Sequence, residues 1–592
     1  MCRIAGIINH KISLAERNGQ TLQMRDSQAH GGPDGAGIYD STILPVSLGH
    51  RRLSLLDLSS AGHQPMQYQQ LFITFNGEIY NFKELKAELQ SLGQVFQSQG
   101  DTEVILLAYQ QWGIAAFSKL KGMFAFALLD EKEAKLFLVR DPQGIKPLYY
   151  FQQHEQLIFA SEVKAFHHCG KKLTEDPHWK VFFLAFGHIP EPYTTLKNVH
   201  HLAKGHYLEW DFKSGQSSIK PFYQFHYSET ITDRPLALAM VREKMTLAVK
   251  RHLLSDAPIG VFLSGGIDSS IITLLANQFQ QQDLQSLSIN LQETDFAERQ
   301  YQQIVVNQIQ GDYHEYLVTY KDFVSHFDQF TEAMDQPSND GINSWFVCKR
   351  AHENGLKAVL SGLGGDELFG GYPSFSRMGY VQQLKQLPSS ILKLADQQFS
   401  FKYRRFYYLS YEHPIGEYLF LRGFFTPNVI AEVLGLSVKE VDEILQSVPI
   451  NPELKNLSGG NRASWMETNL YMQNQLLRDT DCMSMSHGLE VRVPFLDRDL
   501  MESVFSIQAK IKYEGSFPKM LLIDAFKDIL PEAIWNRKKM GFTFPFQEWM
   551  RRFKQVSEPE QYQNKTTRKL MQEFNQGQLH WSNAFALYHV SS

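Results

Sequence analysis

A cysteine stands at position 2, and removal of the initiator methionine would place its thiol beside a free α-amine on the same residue. Such an amine, with a reference pKa of about 7.7–8.0, keeps a neutral fraction near pH 7, so one residue supplies both nucleophile and base without a distant histidine. The plain alternative is an incidental small hydrophobe. Company favours amide hydrolysis. Asn76 and Gly77 follow the apolar run LFITF and offer a side-chain amide and a glycine N–H, the donors an oxyanion site needs. Arg52 in GHRRLS presents a planar fork to a carboxylate, and Asp101 in QGDTE a counter-charge to an ammonium. Taken singly these residues read as a turn, a surface arginine and a helix N-cap. Together they make a clamp for an amino acid.

A second constellation lies further on. SGGIDSS places Ser264, Gly265, Gly266, Asp268 and Ser269 between an apolar run and a helix pattern, where backbone N–H groups and a helix N-terminus hold a phosphate chain. The lysine of a GxxxxGK[ST] loop is absent, and Asp268 offers an oxygen to a magnesium on the phosphates. The run KAVL then leads into SGLGGDELFGGY, where Ser361 and Gly362 can approach the nucleotide and Asp366 supplies a second oxygen.

The elements that must position these residues change character along the chain. Up to about Trp210, the runs IAGII, LFITFNG, MFAFALLD, KLFLVRD, LIFASE and HYLEW read as strands, and FKELKAELQSL and TEVILLAYQQW as helices. This pattern predicts packed sheets with helices outside, an α+β layered domain. The polar stretch DFKSGQSSIK is expected to be the connection to the next unit. Beyond about Asp233, PIGVFL, SLSINL and KAVLSG alternate with helix patterns, which predicts an α/β domain with a parallel sheet, and the region after about Tyr380 is helical.

Composition bounds the rest. With 592 residues, 43% of them hydrophobic and 20% charged, the chain is globular and too long for one core. A net charge of -5 excludes the basic footprint of a nucleic-acid binder, so no nucleic-acid partner is expected. Four cysteines without CxxC spacing suggest neither a disulfide framework nor a zinc site, and no apolar run approaches the ~20 residues that span a bilayer. A cytoplasmic location with no membrane partner is the expectation.

The ordered motifs MCRIAGI, GGPDGAG, HRRLSLLDLS, FNGEIYN, GDTEVIL, MFAFALLD and RDPQGIKPLYY resemble the class II, N-terminal-nucleophile glutaminase domain of glutamine-hydrolysing asparagine synthetases. SGGIDSS resembles the N-type ATP pyrophosphatase signature of the same family. The resemblance implies an αββα glutaminase domain over 2–215 and a synthetase domain over 230–592. It implies Cys2 as nucleophile, Asn76 and Gly77 as the oxyanion hole, and Arg52, Asn76, Gly77, Glu78 and Asp101 as glutamine contacts. It assigns Leu263, Ser264, Gly265, Gly266, Asp268, Ser269, Ile289, Ser361 and Gly362 to ATP, Asp268 and Asp366 to Mg2+, and Lys539 to pyrophosphate, with Lys538 able to exchange roles with it. Arg478 or Asp481 would line the pocket. ATP and Mg2+ are the implied co-substrate and cofactor, a homodimer is usual, and an internal tunnel carries ammonia.

Three departures stand out. Gly31 replaces the family's usual arginine, Leu363 replaces a glutamate of SGEGSDE, and the Asp335–Trp345 segment lacks the arginine-containing loop found near the aspartate substrate. Leu363 cannot exchange a proton with ammonia. Asparagine synthase, with aspartate as the acceptor, is the leading expectation. A paralogue amidating another carboxylate, such as a uronic-acid sugar or a biosynthetic intermediate, is the alternative. An inactive regulatory homologue is the non-enzyme reading, disfavoured by the intact Cys2, Asn76, Asp101, Asp268 and Asp366. A tRNA-modifying enzyme with the same loop would want a basic surface.

Overall fold

A computed structural model of the chain describes residues 2–280, 284–291, 297–398, 401–537 and 544–591. Among them, strands β1 (Arg3–Ile8), β2 (Gly35–Asp40), β3 (Val46–Arg52), β4 (Met66–Tyr68), β5 (Leu71–Ile79), β6 (Gly122–Asp130), β7 (Lys135–Arg140), β8 (Tyr149–Gln153), β9 (Gln156–Ala160), β10 (Val199–His201), β11 (His206–Asp211) and β12 (Gln216–Pro221) form two sheets. Their orders are β10-β8-β9-β1-β3-β2 and β12-β11-β7-β6-β5-β4, with antiparallel pairing.

The run GMFAFALLD shows why the layers stack. Side chains alternate along a strand, so Ala125, Ala127 and Leu129 face the other sheet, where they meet Ile4, Leu48 and Phe159. Phe124, Phe126 and Leu128 face outward under helices α1 (Phe82–Ser91) and α2 (Thr102–Trp112). Both faces of β6 are buried, so its sequence is apolar without alternation. A helix over Leu14–Asp26 covers the outer side of the first sheet, packing on β1 and β3. The layering is αββα. The polar stretch expected as a connection is instead a hairpin. Asp211 Oδ1 accepts from Lys213 N (2.8 Å) and Ser214 N (3.0 Å), Gly215 takes φ +65°, and β12 pairs with β11 through the backbone ladder and a Lys220–Glu209 ion pair at 3.2 Å. Backbone pairing at a sheet edge needs no apolar signal.

The second unit contains β13 (Ile259–Phe262), β14 (Gln285–Leu291), β15 (Asp312–Val318), β16 (Ala358–Leu360) and β17 (Glu490–Arg492), parallel in the order β15-β14-β13-β16-β17. Chain order runs one way from β13 to β15 and the other way from β16 to β17. The sheet therefore has a topological switch point between β13 and β16, where ligands bind beyond the carboxyl ends of the strands. Both glycine loops leave the sheet there. Separate apolar clusters cover its two faces, and a third, helical one holds Tyr408, Tyr418, Trp549 and Phe585.

Candidate active sites in the two units

Cys2 precedes β1 and is 8% exposed. Its N–H donates to Asn76 Oδ1 at 3.2 Å across the gap between the sheets, and its Sγ lies 3.9 Å from Leu53 O. Burial pushes the thiol above its usual range, partly offset by the hydrogen bond to Leu53 O and by Arg52. Asn76 is fully buried on β5, and its Nδ2 has no partner among the described residues. Next to it Gly77 has φ +152°, and a Cβ there would stand 2.1 Å from Met123 O, so no larger residue fits.

Arg52 ends β3 with its fork held by loop carbonyls, Nη1 to Ser59 O (3.1 Å) and Nη2 to Asp57 O (2.5 Å). The carboxylate of Asp57 in turn accepts from Gln99 N at 2.9 Å, tying this loop to QGDTE. Asp57 escaped the sequence reading, although it belongs to the HRRLSLLDLS motif. Asp101 occupies the N-cap position of α2 but makes no cap bond, and its Oδ2 accepts from Ile79 N at 2.8 Å. Burial pushes its carboxyl up to about 6. Glu78 is buried with its carboxyl well above the usual range, through desolvation and the neighbouring Asp101 and Glu490, with Arg492 opposing. Its Oε1 lies 3.4 Å from Arg492 Nη2 in the second unit.

The Gly31 departure has a local cause. A Cβ at Gly31 would stand 2.8 Å from Arg3 Cγ, and the fully buried Arg3 guanidinium binds Glu162 (2.7 Å) and Asp481 (2.8 Å). Glycine makes room for Arg3. Asp481, with Lys146 at 3.7 Å, thus serves the boundary between the units rather than the nucleotide cavity, and Arg478 donates to Pro337 O at 3.2 Å.

At the switch point a cavity of about 1200 Å³ opens over the glycine loops, lined by Ser264, Gly266, Asp268, Ser269, Ser361, Gly362, Leu363 and Asp366. Gly265 takes φ +73°, and Ser264 Oγ meets Ser269 Oγ at 2.9 Å, which folds the loop onto the first turn of the helix Ile267–Gln280. Leu263 and Ile289 are buried behind the loop, and Leu263 N donates to Leu287 O at 2.8 Å within the sheet. Lys538 and Lys539 lie outside the described residues.

The structure adds a lysine that the sequence reading missed. Lys519 Nζ bridges the carboxylates of Asp268 and Asp366, and those two anions raise its pKa against the effect of burial. Gly365 and Gly371 permit the close approach, since a Cβ at either would strike Asp268 or Asp366. Among the described residues no group of three or more His, Cys, Asp or Glu could hold a metal by itself. Two facing carboxylates still suit Mg2+, which binds through one or two carboxylates together with substrate phosphates and water.

The far wall is shaped by a π-helical turn over Glu467–Leu477, which turns Tyr471 and Gln475 into the cavity. Arg422 stacks over Tyr471 (3.6 Å) and Tyr372 (4.5 Å) and pairs with Glu467 at 2.6 Å. Tyr372 donates to Glu367 Oε1 at 2.8 Å, and burial with the adjacent Asp366 pushes that carboxyl up to about 7. The divergent Asp335–Trp345 segment reaches both units. Asp335 accepts from Val163 N (2.7 Å) and Lys164 N (2.8 Å), while Asn339 and Asp340 line the cavity. Both side-chain polar atoms of the buried Asn339 lack a partner among the described residues.

The αββα layers and the loop-bearing parallel sheet define a two-part protein that joins a glutaminase-type unit to an ATP-pyrophosphatase-type unit. Residues 1–223 match the family model described as glutamine amidotransferase domain, and residues 240–575 the one described as asparagine synthase. The chain belongs to the asparagine synthase family of glutamine-hydrolysing amidoligases. It is 30% identical to asparagine synthetase [glutamine-hydrolyzing] 1 of Bacillus subtilis (strain 168), over 93% of this chain and 88% of that protein. It is 32% identical to putative asparagine synthetase [glutamine-hydrolyzing] 2 of Methanocaldococcus jannaschii over 65% of this chain and 78% of that protein. It is also 27% identical to amidase chry2 of Gibberella zeae, over 93% of this chain and 90% of that protein.

Proposed function

We propose that this chain hydrolyses glutamine at Cys2 and delivers the ammonia to a carboxylate adenylated by ATP in the second unit, with aspartate as the acceptor and asparagine as the product. The observation that carries the reading is the meeting of Asp268 and Asp366 around Lys519 at the switch point of the sheet. The other end of the same chain sets Cys2 against Asn76.

In the first unit the buried thiol is protonated at rest and gives its proton to the α-amine that removal of Met1 exposes. The thiolate then bonds to the side-chain carbonyl carbon of glutamine. Asn76 Nδ2 and Gly77 N–H receive the oxyanion, the amine returns the proton to the leaving nitrogen, and the C–N bond breaks. Water hydrolyses the thioester to glutamate. Arg52 and Asp101 hold the α-carboxylate and α-ammonium, with Glu78 beside them.

In the second unit a carboxylate oxygen of the acceptor displaces pyrophosphate from the α-phosphorus of ATP. Ammonia then attacks the acyl carbon, the C–O bond to AMP breaks, and the nitrogen passes one proton to water, leaving the amide and AMP. The loop from Ser264 to Ser269, with Ser361 and Gly362, cradles the phosphates, and Lys519 adds positive charge beside them. Asp268 and Asp366 would hold Mg2+, which when bound neutralises charge on the departing pyrophosphate.

The divergent segment offers Asp340 to an acceptor's ammonium and the unpartnered amide of Asn339 to its carboxylate. A second reading, amidation of a bulkier acid, is favoured by the apolar side chains of Phe186, Tyr418, Phe424 and Trp581 that line the same cavity. Purified protein incubated with glutamine, Mg-ATP and either aspartate or a uronic acid tests both readings through glutamate, AMP and amide product. Aspartate-dependent AMP and asparagine support the first. AMP formed only with the larger acid supports the second.

A further inference from the structure

Arg492 is the last residue of β17, is wholly buried, and touches both candidate sites at once. Its carbonyl accepts from Ser361 N at 2.8 Å, at the root of the second glycine loop. Its guanidinium faces Glu78 of the glutamine clamp at 3.4 Å. The same group binds Glu490 Oε1 (2.5 Å) and donates through Nη1 to His252 O (2.8 Å) and Leu254 O (2.5 Å), just ahead of β13. Backbone carbonyl and side-chain fork of this one residue thus join the root of the nucleotide loop to the glutamine clamp. Glu78 and Asp101 are buried neighbours of like charge, and Arg492 is the cation set against them.

We propose that Arg492 is a positioning residue that couples nucleotide loading in the second unit to glutamine binding in the first. The inference rests on the two-site reading above. When the Ser361–Asp366 loop settles on a nucleotide, the shift at Ser361 reaches the Arg492 carbonyl, and the fork re-seats Glu78 beside the glutamine. Coupling of this kind is reciprocal, so glutamine also strengthens nucleotide binding.

The test uses the full chain. The KM and kcat for glutamine are measured with and without Mg-ATP, and Mg-ATP binding is read by thermal shift. In the unsubstituted protein Mg-ATP should change the glutamine KM by about 5-fold or more. In Arg492→Lys, which keeps the charge but not the fork, the response should fall below about 2-fold while Mg-ATP still binds. A retained response in the variant overturns the proposal. So does the absence of a response in an unsubstituted protein that has both activities, or an equal loss of glutaminase and nucleotide binding in the variant. If Arg492→Lys does not fold, Glu490→Gln, which removes the charge from one of the anchors of the fork, must also weaken the response, and an unchanged response overturns the proposal. An unsubstituted protein lacking glutaminase or ATP use would instead sink the two-site reading, and this proposal with it.

Discussion

Asn76 is wholly buried, accepts the Cys2 N–H at 3.2 Å, and keeps its Nδ2 without a partner among the described residues. An unsatisfied buried donor costs about 1–3 kcal/mol. A position that retains one at the nucleophile matches a donor whose partner arrives with the substrate. Loss of one oxyanion donor costs about 3–4 kcal/mol, or roughly 100- to 1000-fold in kcat. Asn76→Ala should therefore lower the glutaminase kcat by that factor. Losing the acceptor for Cys2 N–H contributes only about 1 kcal/mol, near 5-fold, so the two effects are separable in size. Asn76→Asp keeps the volume and the acceptor but removes the donor, and should be as impaired as the alanine variant. The assay is glutamate release from glutamine, run beside amidation with ammonium chloride, which should stay within about 2-fold because Asn76 does not line the nucleotide cavity. A fall in glutaminase kcat of less than about 10-fold in both variants would refute the oxyanion role.

Cys2→Ala should abolish glutamine-dependent amidation and leave the ammonia-dependent reaction, and loss of both in a folded protein would contradict separate sites. Asp101, pushed up to about 6, loses its negative charge as pH falls through that value. Glutamine kcat/KM should therefore drop below about pH 6 in unsubstituted protein, with this limb absent in Asp101→Asn, as pH profiles would reveal. Lys519→Met removes the ammonium that bridges Asp268 and Asp366. Amidation from ammonia should fall about 100-fold or more, as for loss of a preorganised charge, while glutaminase persists, and unchanged AMP formation would exclude the lysine from the site.

The sequence made legible whatever depends on local periodicity or a contiguous motif. The run GMFAFALLD marks a strand buried on both faces, and SGGIDSS marks a turn into a helix at a strand end. Strand β15 has mostly half-buried side chains and little alternation to read, and β17 is three residues long with Glu490 and Arg492 satisfying each other. Neither resembles a strand in isolation. The links between sites were hidden for a related reason. Lys519 reaches Asp268 across 251 residues, and Arg492 meets Glu78 only once both units have folded. Gly31 reads as a lost contact until Arg3 is seen in the space it leaves. Arg478 and Asp481, expected at the pocket, instead hold the divergent segment and the boundary between units.

The most direct test of the account follows the nitrogen. Glutamine labelled in its side-chain amide is supplied with Mg-ATP, the acceptor and an excess of unlabelled ammonium, and the product amide is analysed with glutamate and AMP. The account requires labelled product formed in step with glutamate and total amide formed in step with AMP, and the label must vanish in Cys2→Ala. Unlabelled product alone, or glutamate and AMP formed without any amide, would contradict it.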